Sequence, residues 1–280
     1  MRYNLSANLP LTTQSLKVLS RKSFYIKPLA TAAIAIVALG GMTGAHAKTL
    51  FKDTSVTLLH GGNFELLPKG IDSENFTTLT LEHASTHDWG GVFFFVDRHQ
   101  GGEYDLKDQA GNVIGSKDYK ETFGKFSPKF KVASFNDGLI KQVNLAGVYE
   151  FSSNSTGFGQ DNYWAGVGVD LNLPIPGMKY ASATLYHSFN DVKPDDQKIT
   201  LTAAWERDKV LIDGYVDFAF NSDTLENNIH FNPQVKYNLQ EALGIDNRLE
   251  VGGEYSYWKN KFGVDGVDEH AVMALVKYHF

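Results

Sequence analysis

Downstream of residue 47, apolar and polar residues alternate along most of the chain. The C-terminus shows the period best: Val272, Ala274, Val276, Tyr278 and Phe280 are apolar at every second position, with Met273, Leu275, Lys277 and His279 between them. A period of two is a strand with two different faces. The same pattern sets Val143, Leu145, Gly147, Tyr149 and Phe151 against Gln142, Asn144, Ala146, Val148 and Glu150. It recurs over 164–173, 199–206, 210–220, 230–239 and 249–258. Soluble sandwiches also alternate, but two features favour a membrane barrel. The segments approach the ~9–11 residues of a tilted membrane strand. The connections also alternate in character. Tight turns are predicted at Thr86–Asp88, Asn136–Gly138, Pro174–Gly177 and Arg207–Lys209, with an intermediate turn at Glu241–Asp246. Longer polar loops are predicted at Gly62–Asn75, Arg98–Lys120, Ser153–Gln160, Asp191–Gln197, Ser222–Asn228 and Asn260–Asp268.

The predicted fold is all-β: a transmembrane antiparallel β-barrel of the bacterial outer-membrane type with about 12 strands, both termini on the periplasmic side and the longer loops outside. Backbone polar groups in a bilayer must be paired, so such a sheet closes on itself. Phe51, Tyr163, Phe189, Phe220, Tyr257 and Phe280 are candidates for interfacial aromatic girdles. Phe280, an aromatic at the last position of its strand, looks like the C-terminal signal read by the barrel assembly machinery. Pro233 lies inside a strand pattern and removes one ladder donor, which predicts a bulge or a barrel rim there.

Residues 1–47 read as an address rather than as fold. Arg2, Lys17, Arg21, Lys22 and Lys27 give a basic start with no acidic residue. Leu29–Leu39 is a short apolar run, and Ala45-His46-Ala47 is a small-x-small cleavage site. This is the pattern of a secretory signal peptide. It leaves residues 48–280 as the barrel, exported to the outer membrane. The whole chain carries a net −6, and losing that leader makes it more acidic still, which disfavours nucleic acid as a partner. The absence of cysteine excludes disulfides, thiol nucleophiles and Cys-bearing zinc sites.

If the apolar sets face lipid, the sets between them line the interior. That lining is charged: Glu82, Asp97, Glu150, Asp170, Glu206, Asp213, Asp217, Glu250 and Glu254 against Lys129, Lys131, Lys236 and Lys277. Charges at this depth persist when paired or wetted, so the lining predicts a hydrated path for a polar solute. The alternative is that the charges pair and plug the barrel. The run Val92-Phe93-Phe94-Phe95-Val96 is apolar on both faces and its register is ambiguous. Taking Val92, Phe94 and Val96 as outward puts Phe93, Phe95 and Asp97 inside beside Glu82, where rings stack and carboxylates accept from hydroxyls.

Leu79–Ala84 leading through Trp89 into Val92–Asp97, the segment Gly124-Lys125-Phe126-Ser127-Pro128-Lys129, and Tyr163–Asp170 together resemble the nucleoside-specific channel family of the bacterial outer membrane, the Tsx-like and OmpK-like proteins. The resemblance covers most of the mature chain as a pattern of strands. It implies a monomeric twelve-stranded barrel whose narrow pore passes nucleosides by weak successive sites, and which sometimes serves as a phage receptor. Loops and many lumen positions depart from the family, so no nucleoside contact carries over residue by residue. The residues assigned to solute contact are Glu82, Phe93, Phe95, Asp97, Lys129, Lys131, Glu150, Trp164 and Asp170.

An enzyme would need nucleophile, base and orienting group together. His83 falls on the nominal lipid face, with His87 close by in the following turn, while His187 and His279 are isolated. Ser182, Thr184, Tyr186 and Ser188 form an inward hydroxyl ladder that reads as lumen lining. No G-x-S-x-G, H-E-x-x-H or Walker motif occurs, and Gly166 and Gly168 read as strand glycines that relieve crowding. The expectation is a non-enzymatic passive channel with no cofactor and no metal. An outer-membrane lipid-modifying enzyme and a plugged structural or receptor barrel are the alternatives.

Overall fold

A computed structural model describes residues 47–66 and 75–280. Apart from Ala47, the leader predicted over 1–47 lies outside the described residues. Twelve strands follow one another: Thr49–Gly62 (β1), Phe76–His87 (β2), Gly90–Lys107 (β3), Val113–Ser134 (β4), Ile140–Asn154 (β5), Gly159–Leu171 (β6), Met178–Phe189 (β7), Gln197–Arg207 (β8), Val210–Phe220 (β9), Asn228–Asn238 (β10), Leu249–Lys259 (β11) and Glu269–His279 (β12). Each pairs antiparallel with its neighbour in sequence, and β1 pairs with β12, so the sheet is a closed barrel. Among the described residues, no helix is long and apolar enough to cross a membrane.

The alternation sorts the faces. On β12, Val272, Val276 and Tyr278 are exposed on the outer surface, while Ala271, Met273, Leu275 and Lys277 are buried inside. Leu58, Leu79, Leu81, Leu145, Val167 and Leu185 continue the exposed apolar belt around the barrel. Aromatic pairs edge the belt at both ends. At the loop end Tyr149 stacks on Tyr163 at 5.1 Å and Phe218 on Phe220 at 5.4 Å. At the turn end Trp89 stacks on Phe130 at 5.5 Å and Tyr278 meets Phe280 edge-on at 5.4 Å. An apolar band between aromatic girdles is the surface a bilayer matches. Phe51 lies at the irregular start of β1, where the pairing with β2 shifts register.

The turn end is built as predicted. The β10–β11 connection holds a single-turn helix, Gln240–Leu243 (α1), stopped by Gly244 in the left-handed conformation with φ 63°. The loop end departs in two places. The segment expected as a loop at Arg98–Lys120 is mostly strand: β3 runs to Lys107 and β4 resumes at Val113, past a shift between Gln100 and Glu103. Its tip is closed by Asp108, whose carboxylate accepts N–H bonds from Ala110 and Asn112, both at 2.9 Å. The Asn112 side-chain amide first, then these backbone groups, hold that carboxyl below the usual carboxylate range. The Ser153–Gln160 loop is also shorter than expected, because strand pairing extends to Asn154 and resumes at Gly159. The β5–β6 extension is polar on both faces, and the β3–β4 extension scatters Tyr104, Leu106, Val113, Ile114 and Tyr119 among charged residues, so no sustained alternation marks either.

Pro233 makes neither a bulge nor a rim. It sits mid-strand on β10, and the register with β11 is the same on either side of it: Phe231 opposes Tyr257 and Gln234 opposes Glu254. The accommodation comes from β9, where Pro233 opposes Gly214. Gly214 has φ 150°, and a Cβ there would lie 2.3 Å from the Asn232 oxygen and 2.7 Å from Pro233 Cα. These contacts are backbone and cannot rotate away. Gly214→Val is therefore expected to destabilise the folded barrel by about 2 kcal/mol. A urea titration of the refolded protein, read by the heat-dependent gel shift of folded barrel, checks this; an unchanged midpoint would contradict it.

Candidate functional site

The register of β2, β3 and β4 decides the ambiguous aromatic run. Ala84 opposes Phe93, Glu82 opposes Phe95, and Thr80 opposes Asp97, so Phe93, Phe95 and Asp97 share the inner face with Glu82. On the other side Phe95 opposes Lys125 and Asp97 opposes Phe123. The rings run as a ladder, Phe93 to Phe95 at 5.8 Å and Phe95 to Phe123 at 5.7 Å. Phe93 is 36% exposed although it points inward, so its ring borders open interior space. The Asp97 carboxylate accepts a bond from Thr80 Oγ1 at 2.5 Å. Glu82 is engaged differently: Lys277 Nζ on β12 donates to its carboxylate at 2.7 Å. A solute hydroxyl reaching Glu82 competes with that lysine.

The remaining predicted contacts fall into separate groups. Glu150 lies 3.6 Å from Lys125. Trp164 points inward but is only 6% exposed, because Lys198 Nζ stands 2.8 Å and Lys125 Nζ 4.7 Å from its ring centroid. The indole predicted to meet solute is thus occupied by lysines, each matched by a carboxylate: Lys198 lies 3.1 Å from Asp217. Lys129 donates to Tyr180 Oη at 2.8 Å and lies 3.9 Å from Asp170, and Tyr180 in turn donates to Asp170 at 3.1 Å. Lys131 opposes Asn144 on the inward side, yet it is exposed at the turn-end rim, away from the aromatic ladder. Glu82, Phe93, Phe95 and Asp97 are therefore brought together, Glu150 and Trp164 join them through Lys125, and Lys129 with Asp170 forms a separate cluster.

Lys125, Lys198, Phe123 and Tyr180 were missed by sequence reasoning. The signal was present for the first two: stepping by two from Lys129 through Ser127 reaches Lys125, and from Thr200 reaches Lys198. The partners could not be read, because they depend on the register between neighbouring strands.

Both ends of the interior are narrowed. At the turn end Lys236 reaches Asp213 at 2.6 Å and Glu250 at 3.6 Å, and Arg248 bonds Glu250 and lies 3.5 Å from Glu206. His279 is not isolated, as its place in the sequence suggested. Its ring lies 3.0 Å from Asp53 and 3.4 Å from Glu250, across the seam where the barrel closes. At the loop end the start of the β1–β2 connection tucks inward. Phe64 packs on Leu59, Met273 and Leu275, and lies 5.3 Å from the Phe76 ring. The Glu269 carboxylate holds this mouth, accepting from Glu65 N at 3.0 Å and Ser256 Oγ at 2.7 Å, with Lys261 bonded to it as well. The hydroxyls of β7 line the wall as a ladder, with Ser188 bonded to Asp196. Gly166 and Gly168 make room for it, since a Cβ would lie 2.6 Å from the Tyr186 ring and 2.4 Å from Thr184 Oγ1 respectively. His83 faces outward and is bonded to Thr54 at 2.8 Å. Among the described residues no group of three His, Asp or Glu is placed to hold a metal ion.

No protein-family model and no curated protein matches the chain. Solved structures with a similar course include a KdgM porin, 9% identical over 82% of this chain and 99% of that one, with a TM-score of 0.45. They also include the translocator domain of the autotransporter NalP from Neisseria meningitidis, 12% identical over 93% of this chain and 100% of that one, with a TM-score of 0.41. A BenF-like porin from Pseudomonas fluorescens Pf-5 is 7% identical over 82% of this chain and 99% of that one, with a TM-score of 0.38. Every one of these scores lies below 0.5, so the functional reading rests on this chain's own residues.

Proposed function

We propose that this barrel is a passive channel of the bacterial outer membrane for small polar solutes, nucleosides in particular, with a leader removed near Ala47 and Phe280 offered to the assembly machinery. The observation that carries the solute class is the inward ladder Phe93–Phe95–Phe123, open at Phe93 and interleaved with Asp97 and Lys125. A planar base stacks on such rings, while ribose hydroxyls donate to the neighbouring carboxylate. Passage requires binding weak enough for release. Stacking on an unconstrained ring, with lumen water as competitor, meets that requirement.

A second reading is a plugged barrel, favoured by the inward-tucked Phe64 and by the near-complete burial of Glu250 and Glu269, 1% and 2% exposed. Single-channel current in a planar bilayer separates the two. The channel reading expects a small open current that adenosine or thymidine blocks and glucose does not. Phe95→Ala should weaken the block about tenfold, the loss of one stacking contact of roughly 1–3 kcal/mol. Current without nucleoside block would remove the nucleoside claim, and a folded barrel without current would favour the plug.

Glu82→Ala tests structure and transport separately. It leaves Lys277, buried in the wall, without its carboxylate, and a stability loss of about 3 kcal/mol is expected. Glu82→Ala with Lys277→Met should recover most of that loss in the same urea titration. If the single variant were as stable as the parent, the ion pair would not hold the β2–β12 contact. Asp97→Asn keeps the shape beside the rings and should weaken nucleoside block; unchanged block would place the solute elsewhere.

A further inference from the structure

The charges inside the barrel are not balanced, and the surplus carboxylates lie on β3, β4 and β11. Every basic side chain buried in the described interior lies beside a carboxylate. Lys125 lies 3.6 Å from Glu150, Lys129 3.9 Å from Asp170, and Lys198 3.1 Å from Asp217. Lys236 and Lys277 are paired with Asp213 and Glu82, and Lys261 with Glu269. Among the described residues, Asp97, Glu121 and Glu254 have no lysine or arginine bonded to them, and their hydrogen-bond donors are neutral: Thr80 Oγ1 at 2.5 Å, Tyr119 Oη at 2.9 Å and Gln234 Nε2 at 2.7 Å. The ring of His99 lies 3.9 Å from Asp97 and carries charge only when protonated, and Lys236, already paired with Asp213, reaches Gln234 beside Glu254 at 3.1 Å. Glu82 and Glu121 stand on β2 and β4, the strands paired with β3 on either side of Asp97, and Glu254 stands on β11.

A second, independent feature lies beside Asp97. The rings of Phe95 and Phe123 flank Asp97 through the β3–β4 ladder. The negative face of a phenyl ring attracts a cation within about 6 Å of its centroid. A carboxylate set between two ring faces gives a passing positive charge a favourable position beside Asp97. Low-dielectric walls keep such a field from being screened as it would be in bulk water. Carboxylate-lined constrictions are a common means of cation selectivity.

We infer that the lumen is cation-selective: small cations and solutes bearing a protonated amine pass in preference to anions between Asp97 on β3 and Glu254 on β11, and these two carboxylates set the preference. This rests on the channel reading above and adds a charge criterion to it. The experiment is the reversal potential of the reconstituted full-length mature barrel across a KCl gradient at mildly alkaline pH, where histidine with a pKa of about 6.5 is neutral. The expected result is a potential of the sign set by potassium, with permeability favouring potassium over chloride several-fold. Glu254→Gln should reduce that ratio toward unity, and Glu254→Asp should retain it. A chloride-set potential, or none, overturns the inference while leaving the channel in place. A parent-like ratio in Glu254→Gln removes that residue as a determinant and contradicts the assignment. Absence of current from folded barrel overturns both the inference and the channel reading.

Discussion

The structure depends on closure. A sheet whose outer face is apolar has no water on that face to satisfy its edge groups, and an open strand edge in hydrocarbon costs several kcal/mol per unpaired group. Pairing β1 with β12 removes the edge. Closure then dictates that each residue of every strand faces either the apolar belt or the interior, which is why a simple alternation runs through so much of the chain. The same constraint explains the treatment of Pro233. A proline in a closed sheet has no edge to retreat to, so the neighbouring strand gives way at Gly214 instead.

Closure also governs the electrostatics. Interior charges cannot turn outward, so each must find a partner within the barrel or remain in lumen water. Most pair between neighbouring strands, as in Lys198 with Asp217 and Lys236 with Asp213. Some join strands that sequence keeps far apart: Lys277 with Glu82, and His279 with Asp53, tie the last strand to the first two. These seam contacts add side-chain bonds where the backbone closes the ring. Asp97 is the exception, because the rings of Phe95 and Phe123 flank it where a lysine flanks most other interior carboxylates.

Much of this was legible in the sequence, for a definite reason. A period of two is a local property, so the faces of β5, β6, β9 and β12 follow from residue order alone. The inward placement of Phe93, Phe95 and Asp97 was reachable only as one of two registers, since Phe94 is as apolar as its neighbours. Pairing with Glu82 and Ala84 on β2 decides it. Contacts between side chains of different strands were not legible. Nothing local to Trp164 announces that Lys198 and Lys125 cover it, and nothing local to His279 announces Asp53. The extended β3–β4 hairpin was hidden for the opposite reason. Beyond the apolar belt its few apolar residues keep no regular period among the charged ones, and only backbone pairing reveals strand.

The central claim is that a nucleoside passes through the interior of the folded barrel. Uptake of labelled adenosine into liposomes tests it most directly, with the refolded protein inserted and protein-free vesicles as the baseline. Rapid uptake that saturates with adenosine and is competed by thymidine but not by glucose is the predicted result. Uptake no faster than in protein-free vesicles, from barrel shown to be folded and inserted, would contradict it.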